Sequence, residues 1–250
     1  MDRLLPFVMA GDPAVDALPG LLRAAHAAGI STIEVGVPHS DPIADGPALQ
    51  SAAQRAIERG VTAESVLLQL ATVGDSPDVV LFTYLNPLLQ IGGARLVELL
   101  RKTPVRSLLV VDLPFGEEPQ LEAALREAGY PIVPLLSPTT SIERAQRLLA
   151  DRADPGPTAP FAQRFAYVVA RLGITGEGTR DFAPIATRVT DLQAITTRPL
   201  AVGFGLSELQ ALASIRAMGA TPVVGTALVQ ALADGVPADV ALGTFANGVS

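Results

Sequence analysis

The stretch TIEVGVPHSDPIADGPALQSAAQRAIER, residues 32–59, holds a strand, a polar loop and a helix in one run. Residues 32–37 are almost continuously apolar, interrupted by a single carboxylate, Glu34. Unbroken apolar runs of this length mark strands covered on both faces, as in a parallel sheet. From Pro47 onward, Leu49, Ala52, Ala53, Ala56 and Ile57 fall on one face of a helix. Pro47 suits the first helical position, and Gly60 suits the position just past the end.

The same unit repeats along the chain. Strands are expected at 4–9, 32–37, 79–84, 107–112, 131–136, 165–170, 199–203 and 222–225. Helical runs lie between them. Those at 117–128 and 207–218 each end at a glycine, Gly129 and Gly219. Thr140-Ser141-Ile142-Glu143 reads as a capping box. Residues 16–28 are helical in pattern, with Pro19-Gly20 delaying the start. Eight strands in strict alternation with helices predict an α/β fold, a (β/α)8 TIM barrel forming a single domain over residues 1–250. An open doubly wound sheet is the second choice. The Pro-rich segment 151–163 lacks periodicity and is expected to be an exposed loop on the face opposite the strand C-termini.

Composition narrows the chemistry. The net charge is −7 and the pI about 4.8, which argues against nucleic acid or an anionic membrane as partner. The absence of cysteine excludes disulfides and thiolate chemistry. Two histidines, His26 and His39, are too few for a histidine-built metal site, and none is expected. Lys102 is the sole lysine, and it closes an amphipathic helix where a cation favours the helix dipole. Schiff-base chemistry therefore has no convincing residue, and carboxylates are the expected reagents. No apolar run is long enough to span a bilayer and no signal peptide opens the chain, so a cytoplasmic protein is expected.

Active sites of such barrels lie at the C-terminal ends of the strands. Glu34 either faces the interior, where burial would make it an acid or base near neutrality, or faces outward in an ion pair. Asp45 either serves as an anion in the following loop or caps the helix at Pro47. Gly203-Phe204-Gly205 and Gly225-Thr226 follow the seventh and eighth strands, where backbone N–H groups can surround a phosphate, with Gly176 as a third wall. The alternative is that these glycines only make tight turns. His26 reads as a surface residue, and His39 lies between the two carboxylates in sequence. Glu117-Glu118 read as charges on a first helical turn. Residues 171–180 read as a lid that would bring Thr175 toward Asp45.

Pro6-Phe7-Val8-Met9-Ala10-Gly11-Asp12-Pro13, Ile33-Glu34-Val35-Gly36-Val37-Pro38, Ser40-Asp41-Pro42-Ile43-Ala44-Asp45-Gly46-Pro47 and Gly173-Ile174-Thr175-Gly176 resemble the tryptophan synthase alpha subunit family, in the right order. The two glycine clusters resemble it as well. The resemblance implies a lyase that cleaves indole-3-glycerol phosphate to indole and glyceraldehyde 3-phosphate. It implies Glu34 as general acid/base and Asp45 as the carboxylate that binds the indole N–H. Phe7, Phe82, Tyr84, Tyr167 and Thr175 match substrate-lining positions. Gly176, Gly203, Phe204, Gly205, Gly225 and Thr226 match the phosphate site. No cofactor is implied in this chain; the partner implied is a pyridoxal-phosphate beta subunit in an αββα complex. The alternatives are a free-standing lyase and a non-catalytic paralogue that activates a beta subunit. Four features depart from the family pattern: the first strand starts almost at Met1 where a helix usually precedes it, His39 replaces an aromatic residue, Thr226 replaces serine, and the Pro-rich segment 151–163 is longer than expected.

Overall fold

The computed structural model describes residues 3–151, 155–156, 158–170, 182–203 and 209–248. The eight strands are β1 (Leu5–Met9), β2 (Thr32–Gly36), β3 (Asp78–Thr83), β4 (Val105–Val110), β5 (Leu135–Leu136), β6 (Ala166–Val169), β7 (Leu200–Gly203) and β8 (Thr221–Val224). They form one parallel sheet in the order β4-β3-β2-β1-β8-β7-β6-β5. A bridge between Leu108 and Ile132 joins the two edges, with the Val133 N–H donating to the Leu108 carbonyl at 2.8 Å. The result is the expected (β/α)8 barrel.

Around it run α1 (Leu18–Ala27), α2 (Pro47–Glu58), α3 (Ala63–Leu70), α4 (Leu85–Ile91), α5 (Gly93–Leu100) and α6 (Pro119–Glu127). After these come α7 (Ile142–Asp151), α8 (Phe161–Arg164), α9 (Ala183–Gln193), α10 (Leu209–Ala217), α11 (Thr226–Ala233) and α12 (Ala238–Gly248). Among the described residues no helix is long and apolar enough to cross a membrane.

Successive strand side chains point to opposite faces, and both faces are buried. Leu5, Phe7 and Met9 join Val80, Phe82, Leu109, Val133, Tyr167, Ala201 and Val223 inside the barrel. Leu4, Val8, Val35, Leu81 and Val168 instead pack outward against helices, beside Leu18, Leu22, Leu67 and Leu212. This double burial is why the strands read as unbroken apolar runs.

Several local expectations are corrected. The fourth strand begins at Val105, ahead of the expected start at 107. The fifth shrinks to two residues, because Pro131 and Pro134 withdraw ladder donors from that segment. Helix α1 starts at Leu18, with Pro19 inside its first turn rather than ahead of it. Helix α7 opens after Ser141, whose hydroxyl accepts the Arg144 N–H at 3.2 Å; Thr140 serves the preceding turn and Glu143 pairs with Arg147. The reciprocal capping box lies instead at Thr62 and Ser65, opening α3. Helix α6 begins beyond Glu117-Glu118. Its first-turn acid is Glu122, which accepts the Gly116 N–H at 2.9 Å. Lys102 is exposed and pairs with Glu98, as its helix-end position suggested.

The largest correction is at the barrel's N-terminal end. The close of the Pro-rich segment is not exposed: Phe161–Arg164 forms α8, with Ala162 and Phe165 buried in the barrel's inner layer. The rings of Phe161 and Phe165 stack at 4.9 Å, and the Ser107 hydroxyl, one residue pair above the foot of β4, donates to the Ala162 carbonyl at 2.5 Å. The short helix is a stopper for the lower mouth.

Candidate active site

Glu34 faces inward. It sits in register with Phe7 on β1 and Val80 on β3, both inner-layer residues, and is 1% exposed. Among the described residues no ion pair compensates it, and its Oε1 has no hydrogen-bond partner. An ionised carboxylate there would forgo its hydration. Burial accordingly pushes the Glu34 carboxyl up from the usual carboxylate range to about 8.

Asp45 belongs to the loop between β2 and α2, and Gly46 rather than Asp45 is the helix N-cap. It is 2% exposed. Its carboxylate accepts from the Tyr84 hydroxyl (3.4 Å), while its Oδ1 has no partner among the described residues. Burial raises it to about 7, and the Tyr84 hydrogen bond opposes that rise. Its backbone is also held: Gln50 Nε2 donates to the Asp45 carbonyl at 2.8 Å, and the Ala44 N–H donates to the Tyr84 oxygen at 3.1 Å. The site therefore carries two carboxyls displaced toward neutrality by the same cause.

Aromatic walls surround them. The Phe7 and Phe82 rings meet edge to face at 5.3 Å. Gly36 makes room for Phe7, because a Cβ there would stand 2.4 Å from the ring. Tyr167 is 3% exposed and its hydroxyl senses the charge of both Glu34 and Asp45. Tyr84 is buried at the end of β3, with the His39 imidazole stacked on it. His26 is exposed on α1. Gly203 ends β7, and Gly225 is the N-cap of α11, whose first residue is Thr226. Both glycines thus stand at strand C-termini, as expected. Thr175, Gly176, Phe204, Gly205 and the segment 171–180 lie outside the described residues.

Gly203 has a specific reason to be glycine. A Cβ there would stand 1.9 Å from the Tyr167 hydroxyl and 3.0 Å from the Val223 Cβ. Gly203→Ala is expected to drive Tyr167 from its place and to cost roughly 1–3 kcal/mol. Gly203→Ala combined with Tyr167→Phe should recover part of that loss. Urea midpoints check this, and equal losses in the single and double variants would refute it.

One positioning element escaped the sequence reading. Asp12, buried in the loop after β1, accepts from Arg55 Nε at 2.8 Å and Nη2 at 2.7 Å, and from Arg59 Nη1 at 3.3 Å. Arg59 also donates to the Gly11 carbonyl at 2.8 Å. These bonds tie the C-terminal half of α2 to the end of β1. The two arginines one helical turn apart were the available signal, but their partner is more than forty residues away in sequence.

A family model described as "Tryptophan synthase alpha chain" matches residues 1–241. The chain is 35% identical to the tryptophan synthase alpha chain of Acaryochloris marina, over 98% of this chain and 90% of that one. It is 37% identical to that of Gloeobacter violaceus, over 93% and 82%. Among solved structures it is similar to Mycobacterium tuberculosis tryptophan synthase, with a TM-score of 0.85, 29% identity, and coverage of 98% and 91%. A tryptophan synthase complex from Pyrococcus furiosus gives a TM-score of 0.82 and 28% identity, covering 98% and 96%.

Proposed function

The chain belongs to the tryptophan synthase alpha chain family, and from that premise we propose that it is a carbon–carbon lyase splitting indole-3-glycerol phosphate into indole and glyceraldehyde 3-phosphate. The observation that carries the reading is the pair Glu34 and Asp45, each buried and each with one carboxyl oxygen unpartnered among the described residues. Breaking this bond needs an electron sink. The indole ring supplies one, since protonation at its C3 makes an iminium-like cation. Glu34, protonated up to about pH 8, delivers that proton. Asp45 binds the ring N–H and stabilises the positive charge as it develops. The ring–glycerol bond then breaks, its electron pair returns to the ring, and the glycerol hydroxyl gives up its proton to the Glu34 carboxylate as the aldehyde forms.

Phe7, Phe82, Tyr84 and Tyr167 supply the apolar walls that exclude water, and the family resemblance adds Thr175 to the substrate-binding residues. The phosphate is held by backbone N–H groups around Gly176, Gly203, Phe204, Gly205, Gly225 and Thr226. No cofactor is assigned to this chain. The partner is a pyridoxal-phosphate beta subunit in an αββα assembly, a reading supported by the family and by the Pyrococcus furiosus complex. Indole release measured with and without added beta subunit tests the activity; turnover equal in both arms would favour a free-standing lyase, and none in either would overturn the reading.

Glycerol 3-phosphate should perturb amide resonances around Gly203, Gly225 and Thr226. Thr226→Ala should weaken its binding by only threefold to tenfold, about one neutral hydrogen bond. Saturation that leaves those amides unmoved would refute the phosphate assignment.

A further inference from the structure

The His39 imidazole lies on the Tyr84 ring, centroids 4.6 Å apart and planes 26° from parallel. Tyr84 stands at the end of β3; His39 opens the loop that carries Asp45. The far end of the same tyrosine meets the same loop again, accepting the Ala44 N–H and donating to Asp45 Oδ2. Residues 39–45 therefore grip Tyr84 on its face and at its tip. The bond to Asp45 is long at 3.4 Å, so a small tilt of the ring would carry it past hydrogen-bonding distance.

We propose that His39 is a positioning residue, whose ring braces Tyr84 so that the tyrosine hydroxyl stays directed at the Asp45 carboxylate. Only the kinetic consequence rests on the lyase reading. A stacked aromatic contact resists the ring rotation that would misdirect the hydroxyl. The hydrogen bond favours ionised Asp45 against the burial that opposes it. The other ionisable groups acting on this pair are Tyr167, which senses Asp45 and Glu34, and Asp112 at the end of β4, which acts on Tyr84. Neither is recorded in ring contact with His39, whose stack is with Tyr84. His39 is half-buried and borders an open groove of about 670 Å³ with Ser40, Asp41 and Pro42, so its removal takes away a brace without hollowing the core.

The test follows the Asp45 carboxyl by ¹³C NMR titration of the free protein, its signal assigned by its loss in Asp45→Asn, alongside indole formation. His39→Ala should raise the Asp45 midpoint by about half a pH unit and lower kcat about threefold to tenfold, with KM within about twofold of wild type. His39→Phe, which keeps the stack, should restore both. An unmoved midpoint and kcat in His39→Ala would overturn the brace. So would a His39→Phe protein that behaves like His39→Ala. If the midpoint shifts as expected while the wild type releases no indole, the lyase reading fails and the brace stands.

Discussion

Glu34→Gln is expected to abolish indole formation, a loss of at least about 10²–10⁴-fold, while leaving the fold intact. The amide fills the same space between Phe7 and Val80 but has no exchangeable acid proton. The same substitution should stabilise the protein at high pH. An unfolded glutamate loses its proton near 4.5, whereas the folded one holds it to about 8. Between those values the native state binds more protons than the unfolded state, so wild-type stability falls as pH rises and levels off above about 8. The full excursion is on the order of 5 kcal/mol at most. Glutamine removes it: the variant should match the wild type at pH 4 and exceed it at pH 9. Urea midpoints across that range provide the check. A variant retaining more than about a tenth of the activity would remove Glu34 from the acid/base role.

Asp45→Asn should lower kcat by about 10²-fold or more, because an amide offers no charge to the developing ring cation. Its effect on the pH profile is more diagnostic. On the proposed mechanism turnover needs Asp45 ionised, above about 7, and Glu34 protonated, below about 8. The wild-type kcat/KM should therefore peak in the narrow window between them. In Asp45→Asn the acid limb should vanish and the alkaline limb should remain. A residual activity that keeps the limb near 7 would assign that limb to another group.

The barrel and its buried carboxyl were legible in the sequence for one physical reason. A strand buried on both faces tolerates only apolar residues, so Glu34 was conspicuous as the exception within residues 32–37. Asp45 stood out less, since a carboxylate ahead of a helix is commonly a cap, and only the placement of the N-cap at Gly46 removed that reading. The ring of His39 on Tyr84 and the two arginines on Asp12 were not legible, because each joins segments about forty residues apart whose meeting depends on the closed barrel. Helix α8 was hidden differently. Prolines and small residues around it suggested a loop, and the Phe161–Phe165 spacing was too short a pattern to outweigh them.

That helix also has a consequence for how the protein is made. A ribosome releases β1, β3 and β4 long before residue 161 emerges. Until then the lower rim of the half-built wall, with Leu5 and Val80 on its inner surface, has nothing to seal it. Nascent and truncated chains thus display a greasy concavity that the finished molecule conceals, the kind of surface that chaperones hold and that drives aggregation. The cork arrives two-thirds of the way through synthesis, and the first half of the barrel must be kept safe until it does.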